Sequence, residues 1–298
     1  MSGTELARRL DTVGEIRGRS LWVDARNRLM RNKAAVTSAV ILAVMTLLVI
    51  FGPFLSPYAY DFADWGKISS PPSLSDGHLF GTDTVGRDLF VRTLYGGRIS
   101  LLVGVVSTIV SLLIGITYGA TAGYFGGRVD NIMMRVVDIL YAMPFMFFVI
   151  LLMVLFGRNI VLIFVAIGAI TWLDMARIVR GQTLSLKRKE FIEAAEAIGV
   201  PTRRIIFRHV VPNLLGIVMV YITLTIPHVI LVESFLSFLG LGVQEPLTSW
   251  GALVNEGAQE METATWMLIF PALFLAATLF SFNFIGDGLR DALDPKDR

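Results

Sequence analysis

The most specific spacing of residues occurs in a polar segment, 187–212, that separates two long apolar runs. Glu193-Ala194-Ala195 is followed by Gly199 six residues after Glu193, and by Pro212 nineteen residues after it. These residue types suit binding more than catalysis: a carboxylate can pair with a basic group, and small side chains allow close approach. The candidate contact residues are Phe191, Ile192, Glu193, Ala194, Ala195, Gly199 and Pro212.

Local sequence rules predict two short helices in this segment. Residues 187–198 contain no Gly or Pro and are rich in Glu, Ala, Lys and Arg, which favours a helix. Gly199 follows at the C-cap, where a left-handed residue is needed. Pro201 suits the first turn of a second helix through Val211, just before the next apolar run. We interpret 187–212 as a coupling segment that docks on another protein; an ordinary polar loop is the alternative.

Motifs for catalysis or metal binding are missing from the sequence. There is no Cys, and the three His residues lie far apart, so neither thiolate chemistry nor a zinc site is expected. No phosphate-binding Gly-x-x-x-x-Gly-Lys-Ser/Thr, no His-Glu-x-x-His and no Gly-x-Ser-x-Gly occurs. We therefore predict no catalytic residue, no metal and no cofactor bound by this chain.

The elements that position the coupling segment are predicted to be membrane helices. The chain has 298 residues, of which 54% are hydrophobic and only 17% charged, unlike a soluble domain of this size. Six runs approach the roughly 20 residues that a span needs. They lie at 34–60, 99–127, 139–157, 159–179, 209–232 and 263–286. The prediction is an all-α integral membrane protein with six transmembrane helices: the first at 34–56, then a five-helix core over 99–286.

Basic residues predict the orientation of these helices. With the N-terminus in the cytosol, the cytosolic segments contain 21 Lys and Arg and the outer segments five. Because basic residues favour the cytosolic side, both termini are predicted to be cytosolic. The N-terminal segment 1–33 is interpreted as containing an interfacial helix, with a solvated tail as the alternative. Its apolar face comprises Trp22, Ala25, Leu29 and Met30, and the cytosolic C-terminal tail spans 287–298.

Between the first two spans, the outer segment 57–98 is long, polar and rich in Pro, Gly and Ser. Long segments of this kind are often functional, so we interpret it as a structured extracytoplasmic cap that contacts a partner. A plain surface loop is the alternative. Outer residues 241–264 contain several Glu and no basic residue, which makes that face acidic.

Two further patterns lie within the spans. Small residues recur every four positions, a spacing that lets helix backbones approach closely, either inside a bundle or against a second membrane subunit. They are Ser107, Ser111, Gly115, Gly119 and Gly123. His228 and Glu233 are ionisable groups near the outer end of the fifth span, and we name them as candidates for a translocation path. Prolines 144, 227 and 271 favour kinks.

A transporter with neither an ATP site nor a chain of intramembrane acids must take its energy from another chain. The coupling segment resembles the EAA loop of ABC importer permeases, although His209 replaces the usual apolar residue three positions before the proline. Other stretches resemble the peptide-permease branch, and the C subunits of oligopeptide permeases most of all. They are GTDTVGRDLF at 81–90, GYFGGRVDNIMMRVVDI at 123–139, ESFLSFLGLG at 233–242 and GDGLRDALDPK at 286–296.

The resemblance implies a type I ABC importer permease in the bacterial inner membrane that forms half of a peptide channel. Its implied partners are a homologous B-type permease, two ATPase subunits that bind ATP and Mg, an extracytoplasmic peptide-binding protein, the peptide and membrane lipid; nucleic acid is not expected. Dipeptides, nickel chelates or glutathione are alternative substrates. An autonomous secondary transporter, which would need internal repeats or an ion relay, is a second class, and a membrane-embedded enzyme a third.

Overall fold

The structure, a computed structural model, describes residues 21–157 and 159–293. The predicted tails 1–33 and 287–298 therefore lie partly outside the described residues. Helices dominate, and within the described ranges only isolated β-bridges accompany them. The helices are α1 Leu21–Arg31, α2 Lys33–Phe51, α3 Leu89–Phe125, α4 Gly127–Ala142, α5 Phe145–Phe156, α6 Ile160–Leu186, α7 Glu190–Ala197, α8 Thr202–Phe238, α9 Trp250–Gln259 and α10 Trp266–Leu293.

Length and composition would allow four of the described helices to cross a membrane: α2 with its following turn to Phe54, α3, α8 and α10. A fifth span results if α4 and α5, which meet at 80°, are counted as one. The bend lies at Met143, which is extended because it precedes Pro144. The fourth predicted run, 159–179, falls in α6, a helix of 27 residues.

Helix ends differ from the predicted boundaries, and at α3 a capping side chain, not the edge of the apolar run, sets the start. The predicted second span began at residue 99, whereas α3 begins at Leu89, inside the segment assigned to the outer loop. Asp88 caps it there, since its Oδ1 accepts a hydrogen bond from the Val91 backbone N–H at 2.8 Å. Similarly, α10 continues to Leu293, beyond the predicted end of the sixth span at residue 286.

The stripe of small residues on α3 packs against α6 of the same chain. A methyl group added to Gly115 would lie 2.6 Å from the Met175 side chain, and one added to Gly119 would lie 2.3 Å from the Ala176 carbonyl oxygen. Ser107 and Ser111 are buried on the same helix. From Gly115 through Gly119 to Gly123, the contacted residues of α6 also move toward the end of that helix, from Met175 to Thr183. Helices α3 and α6 therefore run parallel. The intervening α4 and α5 must therefore return the chain to its starting side.

The N-terminal helices lie beside the end of α10. α2 runs antiparallel to α3, because Val49 faces Gly97 and Gly52 faces Leu94. Gly288 of α10 approaches Ala35 so closely that an added methyl group would lie 2.6 Å from its Cβ. The start of α2 and the end of α10 thus share one side of the molecule, the side toward which the end of α3 points.

Helix α1 confirms a helix at the predicted place, while its interfacial position stays a prediction. Ala25 is buried, and Leu29 lies near Gly288 of α10. Met30 is 64% exposed, so the predicted apolar face is divided between a protein contact and the surface. The Trp22 side chain falls outside the described part of the chain.

Residues 57–88, here called the outer cap, are folded against the rest of the chain by buried ion pairs. Asp83 is fully buried and accepts hydrogen bonds from Arg87 Nε at 2.7 Å and from the Arg92 guanidinium. Arg92, also fully buried, donates to Glu256 Oε2 at 2.9 Å, and Arg87 donates to Glu245 Oε1 at 2.9 Å. The cap is thereby joined to the second outer segment.

Burial by itself raises the pKa of the Asp83 carboxyl. The Arg92 charge and the hydrogen bonds from Arg87 and Val85 lower this pKa by a larger amount, so that it lies below its ordinary value.

Two glycines of the 81–90 motif are required by the packing of the outer cap. Gly81 and Gly86 have φ of 78° and 82°, and a methyl group on Gly86 would lie 1.9 Å from the Asp64 carbonyl oxygen.

Candidate functional site

The coupling segment contains the predicted helix, α7, which begins after Lys189 and ends at Ala197. Gly199 adopts φ 76° and closes the helix as predicted. Its N–H donates to the Glu196 carbonyl at 3.0 Å, while the Val200 N–H donates to the Ala195 carbonyl at 3.0 Å. These two bonds form a Schellman motif, which satisfies the last carbonyls of the helix and requires a left-handed residue at position 199.

One face of α7 points into the protein. Ile192 is fully buried and Ala195 nearly so. Both belong to an apolar cluster formed with α3, α6 and α8, whose other buried members include Ala120, Tyr124, Met175, Val179, Ile205, Ile206, Val210, Leu214 and Val218. The interpretation of Ile192 and Ala195 as partner contacts therefore needs correction: within this chain they anchor α7.

The opposite face of α7 is exposed. Phe191, Glu193 and Ala194 lie at the surface, and Ile198 just beyond the helix is 80% exposed. An exposed isoleucine and phenylalanine thus lie beside the Glu193 carboxylate on and just after a short, capped helix. The predicted contact residues are thus divided by the fold into buried anchors and exposed candidates.

Polar contacts attach the coupling segment to the end of α3. The Tyr124 hydroxyl donates to Glu196 Oε1 at 2.7 Å, and Lys187 Nζ donates to the Tyr124 carbonyl oxygen at 2.7 Å. The Lys187 ammonium also lies 5.1 Å from the centroid of the Tyr124 ring. Sequence reasoning did not identify Tyr124, because its partners follow it in the chain by more than sixty residues.

The second half of the segment differs from the prediction of a separate short helix. Helix α8 runs without a break from Thr202 to Phe238, with a π-helical turn at Ile206–Val210. Pro212 has no N–H to donate to the carbonyl four residues before it, and the Val211 N–H bonds instead to the Ile206 carbonyl five residues before it. Pro212 is exposed on this continuous helix.

The exposed side of the first turns of α8 is basic. A shallow groove there is lined by Pro201, Arg203, Arg204, Phe207, Arg208 and Pro212. It lies directly after the α7 helix in the chain, so the surface around Glu193 is followed by a positively charged one.

The two candidate groups of the translocation path are not brought together. Glu233 is fully buried, and its carboxylate accepts hydrogen bonds from Ser100 Oγ at 3.2 Å and Ser237 Oγ at 2.7 Å. It therefore joins α8 to α3 inside this chain. His228 is exposed and lines a separate cavity between α4, α5, α6 and α8. Among the described residues, no group of three His, Cys, Asp or Glu is placed to hold a metal ion.

Comparison with known proteins agrees with these features. Residues 115–298 match the family described as binding-protein-dependent transport system inner membrane component. Residues 20–72 match the N-terminal TM domain of oligopeptide transport permease C.

Individual proteins resemble the chain over nearly its full length. The oligopeptide transport system permease protein OppC of Haemophilus influenzae is 59% identical, covering 99% of this chain and 94% of the relative. The protein of the same name from Escherichia coli K12 is 63% identical, covering 95% and 94%.

Among solved structures, a chain of the MetNI methionine ABC transporter in inward-facing conformations superposes with a TM-score of 0.54 at 19% identity. The match covers 69% of this chain and 96% of that one, and at this identity it shows a shared fold. The protein therefore belongs to the family of inner membrane components of binding-protein-dependent transport systems, and within it to the group that resembles the oligopeptide permease C proteins.

Proposed function

We propose that this chain is the permease subunit of an ABC importer for oligopeptides and forms half of the transmembrane channel. The observation that carries the coupling part of this proposal is α7, which exposes Glu193 and Ala194 while its other face is anchored among α3, α6 and α8. A homologous B-type permease would supply the other half, and an extracytoplasmic binding protein would deliver the peptide.

The proposed topology has six spans in the bacterial inner membrane, with both termini cytosolic. Helix α6 is the fourth span, and the bent pair α4 and α5 is the third. The parallel course of α3 and α6 supports this assignment, because the chain must cross back between them.

The proposed mechanism is alternating access driven by two partner ATPases, which bind ATP and Mg while this chain binds neither. An ATPase grips the exposed face of α7, and its closure displaces that helix. Because Ile192 and Ala195 are packed between α3, α6 and α8, displacement of α7 moves these helices with it. The chain transmits force and catalyses no reaction.

The test is uptake of a radiolabelled tripeptide by proteoliposomes that contain the complete importer with Glu193→Arg. Glu193 is exposed, so we expect normal assembly but uptake reduced by about tenfold or more, as for loss of a charged contact at an interface. Asp291→Arg is the matched control, since it makes the same charge change at an exposed site at the end of α10. Equal uptake by both variants and the unmodified complex would contradict coupling through α7.

Substrate class is tested separately with the partner binding protein. We expect it to bind tripeptides and longer peptides more tightly than dipeptides, glutathione or nickel chelates. Calorimetric titration measures this directly, and a preference for one of the other ligands would reassign the substrate while leaving the permease role unaffected.

A further inference from the structure

A cavity of about 360 Å³ lies between α4, α5, α6 and α8, which is within the size range of small-ligand sites. It exists because the helix breaks at Met143, where the following Pro144 forces an extended backbone and α5 turns away by 80°. Met143 and Phe145 line the space at this break.

Most of the cavity wall is apolar, but four polar side chains face it: Tyr141, Thr171, Asp174 and His228. Asp174 lies near the middle of α6, fourteen residues from Ile160 and twelve from Leu186. At 1.5 Å per residue it is about 20 Å from either helix end.

Asp174 differs from Asp130 and Asp138 of the neighbouring helix α4 in having no cation. Asp130 pairs with Arg180 at 2.5 Å, and Asp138 pairs with Arg177 at 2.9 Å. Across the described residues, Asp174 has neither a hydrogen bond nor an ion pair. A lone carboxylate in a membrane helix is costly and typically marks a substrate or ion pathway.

We infer that Asp174 binds the α-ammonium group of the peptide as it passes through this cavity. The inference rests on the proposed function, and it names a recognition group for that substrate. An α-ammonium is the one cation that every linear peptide with a free N-terminus carries, so an Asp174 site would be independent of peptide sequence. Thr171 and His228 line the same cavity, and a hydroxyl oxygen and an imidazole nitrogen can accept its remaining hydrogen bonds.

The test uses the absence of Cys from this chain. The complete importer is reconstituted in nanodiscs, and Thr171→Cys places a thiol in the cavity wall, three residues before Asp174 in the chain. We measure its labelling, from the mass of this chain, by a cationic trimethylammonium methanethiosulfonate and by an anionic sulfonate of similar size. The cation should react about tenfold faster, the size of effect expected for one charge-assisted contact.

Second substitutions in the Thr171→Cys background assign the preference. Asp174→Asn should bring the two rates close to parity, and Asp174→Glu should preserve the difference. Asp138→Asn is the matched control, because it removes a carboxylate that pairs with Arg177 outside the cavity wall. A cation preference that survives Asp174→Asn would overturn the inference.

Protection experiments identify the source of the ammonium group. Trialanine should slow labelling, and N-acetyl-trialanine should not. Equal protection by both peptides would overturn binding of the peptide ammonium. So would protection that appears only when phosphatidylcholine in the nanodisc is replaced by phosphatidylethanolamine, whose headgroup carries a primary ammonium. Trialanine uptake by the unmodified complex is measured alongside: its absence would contradict the proposed function, whereas normal uptake without ammonium-dependent protection would contradict only the role of Asp174.

Discussion

At the scale of single residues, Gly199 has a backbone requirement that can be separated from any steric one. Its φ is 76°, yet a methyl group added there would meet no atom within 4 Å. We therefore expect Gly199→Ala to destabilise the end of α7 by about 1–2 kcal/mol through backbone strain alone. Peptide uptake by the importer should fall. Co-purification with the ATPases measures assembly of the same variant.

Gly216 of α8 is the matched control for this substitution. It also has open space around an added methyl group, but it lies in a regular helix without a positive φ. Gly216→Ala should be neutral or stabilising by about 0.5–1 kcal/mol. If both variants transport equally well, the left-handed turn at 199 is not needed for coupling.

Asp83 determines how the outer cap responds to pH. Because its folded pKa lies below the ordinary value, its stabilisation is complete above the unfolded pKa of about 4 and is lost as pH falls through the lower folded pKa. We expect protection of the outer cap from hydrogen exchange to be constant from pH 7 to about pH 5 and to fall below about pH 4.

Substitution tests the same carboxylate at neutral pH. Asp83→Asn leaves buried Arg92 and Arg87 without its charge, which should cost about 3–5 kcal/mol. Asp76→Asn is the control, because Asp76 is exposed and its ion pair with Lys67 Nζ is long at 3.8 Å. Limited proteolysis should cut the cap of the first variant faster; equal rates for the two would show that the Asp83 pairs do not stabilise it.

At the scale of elements, the contact between α3 and α6 depends on the lack of side chains on α3. Gly119→Ala would place a methyl group 2.3 Å from the Ala176 carbonyl, so we expect destabilisation of about 1–3 kcal/mol. Gly168→Ala is the matched control on α6, where the nearest atom is Val110 Cγ1 at 3.4 Å. Thermal unfolding of the complex in detergent distinguishes them, and an equal midpoint would contradict close backbone packing at Gly119.

The coupling helix is also an element-scale result. Apolar periodicity and helix propensity locate α7, but they treat Ile192 and Glu193 alike as candidate contacts. The two were separated only by the packing of α3, α6 and α8 around one face of α7. A helix of eight residues is marginal by itself, so this packing also explains why it forms.

At the scale of the whole molecule, the outer cap and the coupling segment lie at opposite ends of α3. This helix has 37 residues and is therefore about 55 Å long, which exceeds the roughly 30 Å hydrocarbon thickness of a bilayer. Asp88 of the cap begins it, and Tyr124 near its end contacts Glu196. The two surfaces can therefore face opposite sides of a membrane.

Cysteine labelling checks this arrangement, since the natural chain has no Cys. Ser75 of the cap and Ala197 of the coupling helix are both exposed. In intact cells a membrane-impermeant maleimide should label Ser75→Cys readily, and Ala197→Cys only after permeabilisation. Labelling of both sites from outside, or the reverse pattern, would contradict the proposed topology.

The sequence by itself determined the features that depend on neighbouring residues. Apolar run length gave the helical class and most of the spans, and Gly199 marked the end of α7 because a left-handed residue is a local requirement. The distribution of Lys and Arg predicted an orientation, and the spacing of Glu193, Gly199 and Pro212 indicated the family.

Only the tertiary structure decided which side of each element is buried. It assigned Ile192 and Ala195 to the interior, enclosed Glu233 between Ser100 of α3 and Ser237 of its own helix, and left Asp174 facing a cavity without a cation. It also joined Asp83 to Glu256 through Arg92, across more than 160 residues of chain. Burial and charge pairing depend on segments distant in the chain, and local periodicity contains no information about which distant segment arrives.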